Sequence, residues 1–198
     1  MADINEKLKK ATVGIAGLGG LGSTVAVALA RAGIGRLIIA DFDKIEKSNL
    51  NRQHYFIDQI GQYKVDALTE NLQRINPDVS VEGHIVKLTK ENIPQIFAQA
   101  DCIAECFDKA DQKQLLVQTV LTKIKTTVVV SVSGLAGYGK SNQIQTRRIS
   151  NRLILAGDNE NGIDTDLPLT APRVWIAASH QANAIIEILI DEIIKLSV

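Results

Sequence analysis

The chain has 198 residues, 45% of them apolar, and 22 acidic against 22 basic side chains. That length and apolar content suit one domain with a real core over 1–198. The balanced charge gives no field for nucleic acid or an anionic membrane, and no window approaches the ~20 apolar residues of a membrane span. Residues 1–12 are charged rather than signal-like, so a cytoplasmic address is expected.

An apolar strand, Val13 to Ala16, runs into Gly17-Leu18-Gly19-Gly20-Leu21-Gly22-Ser23 and then a helix from Thr24 to Ala32. Strand, glycine-rich turn and helix in this order set a nucleotide phosphate at a helix N-terminus. Gly33 and Gly35 close the helix, and Arg36 to Ala40 makes a second strand ending in Asp41-Phe42-Asp43. Residues 44–49 read as polar loop and 50–60 as short helical turns. Val65, Leu68, Leu72 and Ile75 recur at helical spacing within 62–75, which Asn76-Pro77 stops.

Residues 79–86 alternate as a third strand. A short helix is expected over 91–100, a fourth strand over 102–105, a helix over 111–125, and a β-branched strand over 127–132. Two more strands, 142–149 and 153–156, suggest an antiparallel pair. Residues 157–170 form a long loop whose charges, Asp158, Glu160, Asp164 and Asp166, are all acidic. Pro172 opens a helix to about Lys195, apolar over most of its circumference, with Glu187, Asp191, Glu192 and Lys195 as its polar stripe. Such a helix lies deep against the sheet or contacts another subunit. The alternation predicts an α/β fold: a doubly wound, Rossmann-like, mostly parallel sheet with late antiparallel edge strands.

Cys102 and Cys106 are too few for a four-cysteine zinc site, and no zinc is expected. They read as buried small hydrophobes on one face of a strand. His54, His84 and His180 read as packing or capping residues.

A glycine-rich turn serves NAD, FAD and ATP alike. Asp41, nineteen residues after Gly22, suits ribose hydroxyls, and an NAD-dependent oxidoreductase is one reading. The next segment favours a triphosphate. Ser48-Asn49-Leu50-Asn51-Arg52-Gln53 and Gly61-Gln62-Tyr63-Lys64 offer a guanidinium fork, an ammonium and a neutral donor to phosphate oxygens. Asp108, just beyond the fourth strand, points toward the same crevice, and a carboxylate beside phosphate-binding cations suits Mg²⁺.

GLGGLGS, DFD, SNLNRQ, GQYKV and a strand ending before Asp108, in that order, resemble the ThiF/MoeB/HesA family, bacterial relatives of ubiquitin-activating enzymes. The likeness resumes at Ala171-Pro172-Arg173 and in the helix carrying Gln181. The compact length is most like short ThiF-type sulfur-carrier-protein adenylyltransferases.

The resemblance implies adenylation, with Mg-ATP, of the C-terminal Gly-Gly carboxylate of a small ubiquitin-like carrier such as ThiS, in thiamine biosynthesis. It implies that Gly17, Gly19, Gly20 and Leu21 border the nucleotide, that Asp41 holds the ribose with Asp43 beside it, that Asn49, Arg52 and Lys64 bind phosphates, and that Asp108 holds Mg²⁺. Arg52, Lys64 and Asp108 are thereby the catalytic set. A homodimer is expected.

Three departures qualify it. Without zinc cysteines the late region is expected to be held by packing alone. The 157–170 loop has no cysteine, so no covalent carrier intermediate is expected. No arginine precedes Arg31, where homodimeric relatives supply one to the partner's ATP, so Lys7, Lys9 or Lys10 would substitute. A nucleotide-binding adaptor of the same fold, and adenylation of a peptide or a tRNA-linked amino acid, remain alternatives. The acidic loop would either cover the carrier tail or be a surface excursion.

Overall fold

A computed structural model describes residues 4–162 and 166–195, with the side chains of 192–195 excepted. Asp164 and the side chains of Glu192 and Lys195 therefore lie outside the described residues.

Seven strands form one sheet: β1 (Thr12–Ala16), β2 (Arg36–Asp41), β3 (Ser80–Ile85), β4 (Cys102–Glu105), β5 (Val128–Val132), β6 (Gln145–Ser150) and β7 (Leu153–Gly157). Their order is β3-β2-β1-β4-β5-β7-β6, and every pairing is parallel except β6 with β7. The strand order turns back between β1 and β4. In such sheets a ligand lies beyond the carboxyl ends of the strands at that reversal.

Alternation along the strands builds a core on each face. Ile15, Leu37, Ile39, Cys102 and Val130 look toward α2 (Gly20–Ala32), α3 (Lys64–Ile75) and α6 (Ala171–Lys195). Ile38, Ile103 and Val129 look the other way, toward α4 (Ile93–Ile96) and α5 (Ala110–Lys123). Near-continuous apolar strands are what a sheet covered on both faces requires.

The differences from the sequence expectation have local causes. The helix expected from Thr24 starts at Gly20, so the last glycines of the turn are its first turn. The helix expected over 91–100 shrinks to Ile93–Ile96, with Pro94 in its first turn. Residues 4–10 form a short helix, α1, docked through buried Leu8; it packs against α6.

The last helix lies deep against the sheet, one of the two arrangements expected of it. It packs against α2 and against β4, β5, β6 and β7, which accounts for buried Val174, Ala178, Ala182, Ile185 and Leu189. Gln181, fully buried, donates its side-chain N–H groups to the Glu105 and Val130 carbonyls at 2.9 and 2.7 Å, which stitches α6 to the sheet. No described helix is long and apolar enough to cross a membrane.

Packing is not all that holds the late region, contrary to expectation. Arg173 and Asp158 form a buried ion pair at 2.5 Å. The guanidinium also donates to the carbonyls of Ala136, Gly139 and Lys140, while the carboxylate accepts the N–H groups of Glu160 and Asn161. Burial alone would raise the Asp158 pKa; these donors, led by the Asn161 side chain, overcome it and hold it at about 2. Asp158 is thus a clamp within the acidic loop, whereas Glu160 and Asp166 are exposed.

Candidate active site

The glycine turn is built by close backbone approach. Gly17 adopts φ +88°, and its hydrogen points at the Cys106 carbonyl, where a side chain would stand 3.1 Å away. A Cβ on Gly22 would meet the Gly17 carbonyl oxygen at 1.9 Å, so the turn closes only around glycine. The α2 N-cap is Gly19, which offers no side-chain cap, and the first turn has no acidic residue. Its free N–H groups and positive dipole end are left for an anion.

Asp41 organises this turn. Its carboxylate accepts the Leu18 N–H at 2.6 Å and the Asp43 N–H at 2.8 Å. It is nearly buried. Burial raises its pKa, opposed by the Lys64 charge and the two N–H donors. Asp43 in turn pairs with the buried Lys64 ammonium at 2.8 Å. Lys64 opens α3, and its N–H donates to the Asp43 carbonyl at 3.0 Å, so backbone and side chain are latched together.

Arg52 arrives from the segment after β2. Its Cγ lies 3.5 Å from where a Gly20 Cβ would stand, so its stem runs along the start of α2. Its guanidinium rests on the Ser48 carbonyl at 3.2 Å and the Asn51 side-chain oxygen at 2.8 Å. Asn49 caps its own turn, accepting the Glu46 N–H at 3.1 Å. The segment is tied back to α2 and α3: His54 donates its N–H to the Ser23 hydroxyl, and Asn71 donates to the His54 carbonyl.

Asp108 is exposed, two residues beyond Cys106, whose N–H donates to the Ala16 carbonyl. The segment carrying Asp108 therefore abuts the glycine turn. Leu21 turns its side chain into the core, leaving only its backbone for a ligand. A Cβ on Gly20 would stand 2.9 Å from Val174, so that glycine also admits α6.

Several functional candidates escaped the sequence reading. Glu105 is fully buried; it accepts the Phe107 N–H at 2.7 Å and the Ser131 hydroxyl at 2.5 Å, and pairs with Lys113 at 2.9 Å. This fixes the bend from β4 into the Asp108 segment. A lone acid closing an apolar strand was the available signal, since such a group needs partners to be buried. Gln53, also buried, has a side-chain oxygen without a partner among the described residues. Burial pushes the Cys106 thiol far above its ordinary range, as does the Glu105 charge, which disfavours the thiolate. His54 stacks on Trp175; burial, with the Arg31 charge, lowers its pKa.

A family model described as "ThiF family" matches residues 2–195. The chain is 45% identical to ubiquitin-like modifier-activating enzyme 5 of Caenorhabditis elegans over 84 residues, 42% of this chain and 20% of that protein. It is 34% identical to the protein HesA of Nostoc sp. strain PCC 7120 over 134 residues, 67% of this chain and 53% of that one. The chain thus spans about a fifth to a half of these relatives. Among solved structures it resembles Escherichia coli tRNA N6-threonylcarbamoyladenosine dehydratase in complex with ATP, with TM-score 0.88 and 18% identity, covering 97% of this chain and 90% of the other.

Proposed function

We propose the following function for this chain, which belongs to the ThiF family: it transfers the adenylyl group of ATP to a carboxylate, that of the C-terminal Gly-Gly of a ThiS-like ubiquitin-like sulfur carrier, as a step of thiamine biosynthesis. The observation that carries the reading is the relay from Leu18 through Asp41 and Asp43 to Lys64, which sets a buried ammonium beside the glycine turn while Arg52 packs along that turn's other side. A hydride-transfer site needs no such pair of cations; a triphosphate does.

In the reaction a carboxylate oxygen bonds to the α-phosphorus, and the bond from that phosphorus to the bridging oxygen breaks, its electron pair leaving with pyrophosphate. The attacking carboxylate is ionised at pH 7, so no base is required. The difficulty is charge, because an anion approaches a polyanion and more charge gathers on the departing oxygens. Arg52 and Lys64, held before the substrate arrives, oppose that charge without reorganising. Asp41 would meet the ribose hydroxyls, and Asn49 would add a neutral donor. Gly17, Gly19 and Gly20 would let the backbone approach.

Mg²⁺ fits this donor set. Among the described residues no group of three or more His, Cys, Asp and Glu could cage a metal alone. Mg²⁺ needs only one or two carboxylates beside substrate phosphates, and exposed Asp108 supplies one. Bound there, it would neutralise phosphate charge.

The supporting family names lean the same way: one curated relative is a ubiquitin-like modifier-activating enzyme, and one structural neighbour holds ATP. A homodimer acting in the cytoplasm completes the proposal. The test is ATP–pyrophosphate exchange with a panel of Gly-Gly-ending carriers. Exchange that depends on carrier and Mg²⁺, and is lost in Arg52→Ala, supports it; exchange unchanged in Arg52→Ala, or protection by NADH in preference to Mg-ATP, refutes it.

A further inference from the structure

Trp175, the single tryptophan of the chain, stands near the start of α6, 41% exposed. Its indole N–H donates to the Arg52 carbonyl at 3.1 Å, across 123 positions of sequence. Its ring stacks on His54, with centroids 5.2 Å apart and planes at 23°. The preceding residue, Val174, fills the space left open by Gly20, against which the Arg52 stem also packs. On its other side, Arg52 is held by its own N–H, donating to the Asn49 carbonyl at 3.2 Å.

We propose that Trp175 is a positioning residue for Arg52. It holds the carbonyl side of that peptide, so the side chain leaves the backbone over the N-terminus of α2. The inference rests on Arg52 meeting phosphate, as proposed above. The physical reason is the nature of the segment. Residues 51–54 are irregular, with no ladder to fix them, and a misplaced arginine loses the benefit of being preset. Beside the bonds that His54 makes to Ser23 and Asn71, the indole N–H, on a helix anchored by buried Arg173 and Gln181, adds a restraint on the Arg52 carbonyl itself.

The same contact makes Trp175 a reporter. Anion binding that draws on the Arg52 guanidinium changes the polarity around an indole bonded to the same residue.

The test uses inorganic tripolyphosphate as the probe and calorimetry as the readout, on the full chain and on Trp175→Phe, Arg52→Ala and the double variant. Phenylalanine keeps a smaller aromatic ring against His54 and removes the N–H donor at a 41% exposed position; a thermal melt checks that the fold is retained. Trp175→Phe is expected to weaken tripolyphosphate about five- to tenfold, the worth of one net hydrogen bond. The double variant is expected to bind no more weakly than Arg52→Ala, because Trp175 acts only through Arg52. The emission of the unsubstituted chain is expected to shift on titration, and the shift to vanish in Arg52→Ala.

Equal binding by Trp175→Phe, or losses that simply add, overturns the inference, as does a chain that binds no tripolyphosphate. The predicted non-additive pattern, together with absence of exchange on every carrier, upholds this inference and counts against the adenylation reading alone.

Discussion

The Asp41 carboxylate accepts the Leu18 N–H at 2.6 Å, across 23 residues. This one contact ties the end of β2 to the middle of the glycine turn. Through Asp43 it extends to Lys64, so the buried ammonium and the glycine turn are joined by one chain of hydrogen bonds. Such a link is what preset electrostatics requires.

Asp43→Ala is expected to destabilise the chain by about 1–2 kcal/mol, because Lys64 is buried and would lose its counter-charge; the half-exposed Asp43 keeps the cost below that of a fully buried pair. Lys64→Met retains the apolar stem but removes the charge that opposes the burial of Asp41, so some stability should be lost together with exchange. Thermal melts alongside exchange separate the two; a Lys64→Met chain that exchanges normally would remove Lys64 from the site.

Gly22→Ala would place a methyl 1.9 Å from the Gly17 oxygen. Neither is a flexible side-chain end, so the turn must open. The expected loss is about 3 kcal/mol or more, a melting-point drop of about 6 °C or more. A Gly22→Ala chain that melts with the unsubstituted one would show the turn is looser than described.

Asp158→Asn probes the buried clamp. The carboxylate sits at about 2 when folded, below its ordinary 3.8. Its stabilisation is therefore fully present above pH 3.8 and is lost as pH falls through about 2. The shift is worth about 2 kcal/mol. Melting points between pH 2 and 5 should fall more steeply in the unsubstituted chain than in Asp158→Asn, which starts lower and stays flatter. Parallel curves would contradict it.

Asp108→Ala removes an exposed carboxylate, so the melting point should hold. Exchange should fall about 100-fold and the Mg²⁺ concentration needed for half activity should rise. A fall in exchange with unchanged Mg²⁺ dependence would assign Asp108 another role.

The strands were largely legible. Residues 102–105 read as strand and are strand, and the antiparallel β6–β7 pair was expected at the edge where it stands. Errors fell at ends, where glycine and proline act through backbone geometry: the start of α2 and the shortened α4. Of the site, the residue types and their chain order could be read because each motif is local. Arg52 and Lys64 could be named, whereas their seats, along Gly20 and on Asp43, could not.

What the amino-acid order settled by itself is the alternation of apolar periods, the glycines and the sequence of polar motifs, because these report local backbone preference and which face of an element avoids water. Only the folded chain decided that Trp175 grips Arg52, that Arg173 meets Asp158, and that Glu105 finds Lys113 and Ser131. A buried polar group is satisfied by whichever partner the sheet order and helix packing bring within about 3 Å, and periodicity carries no record of that neighbour.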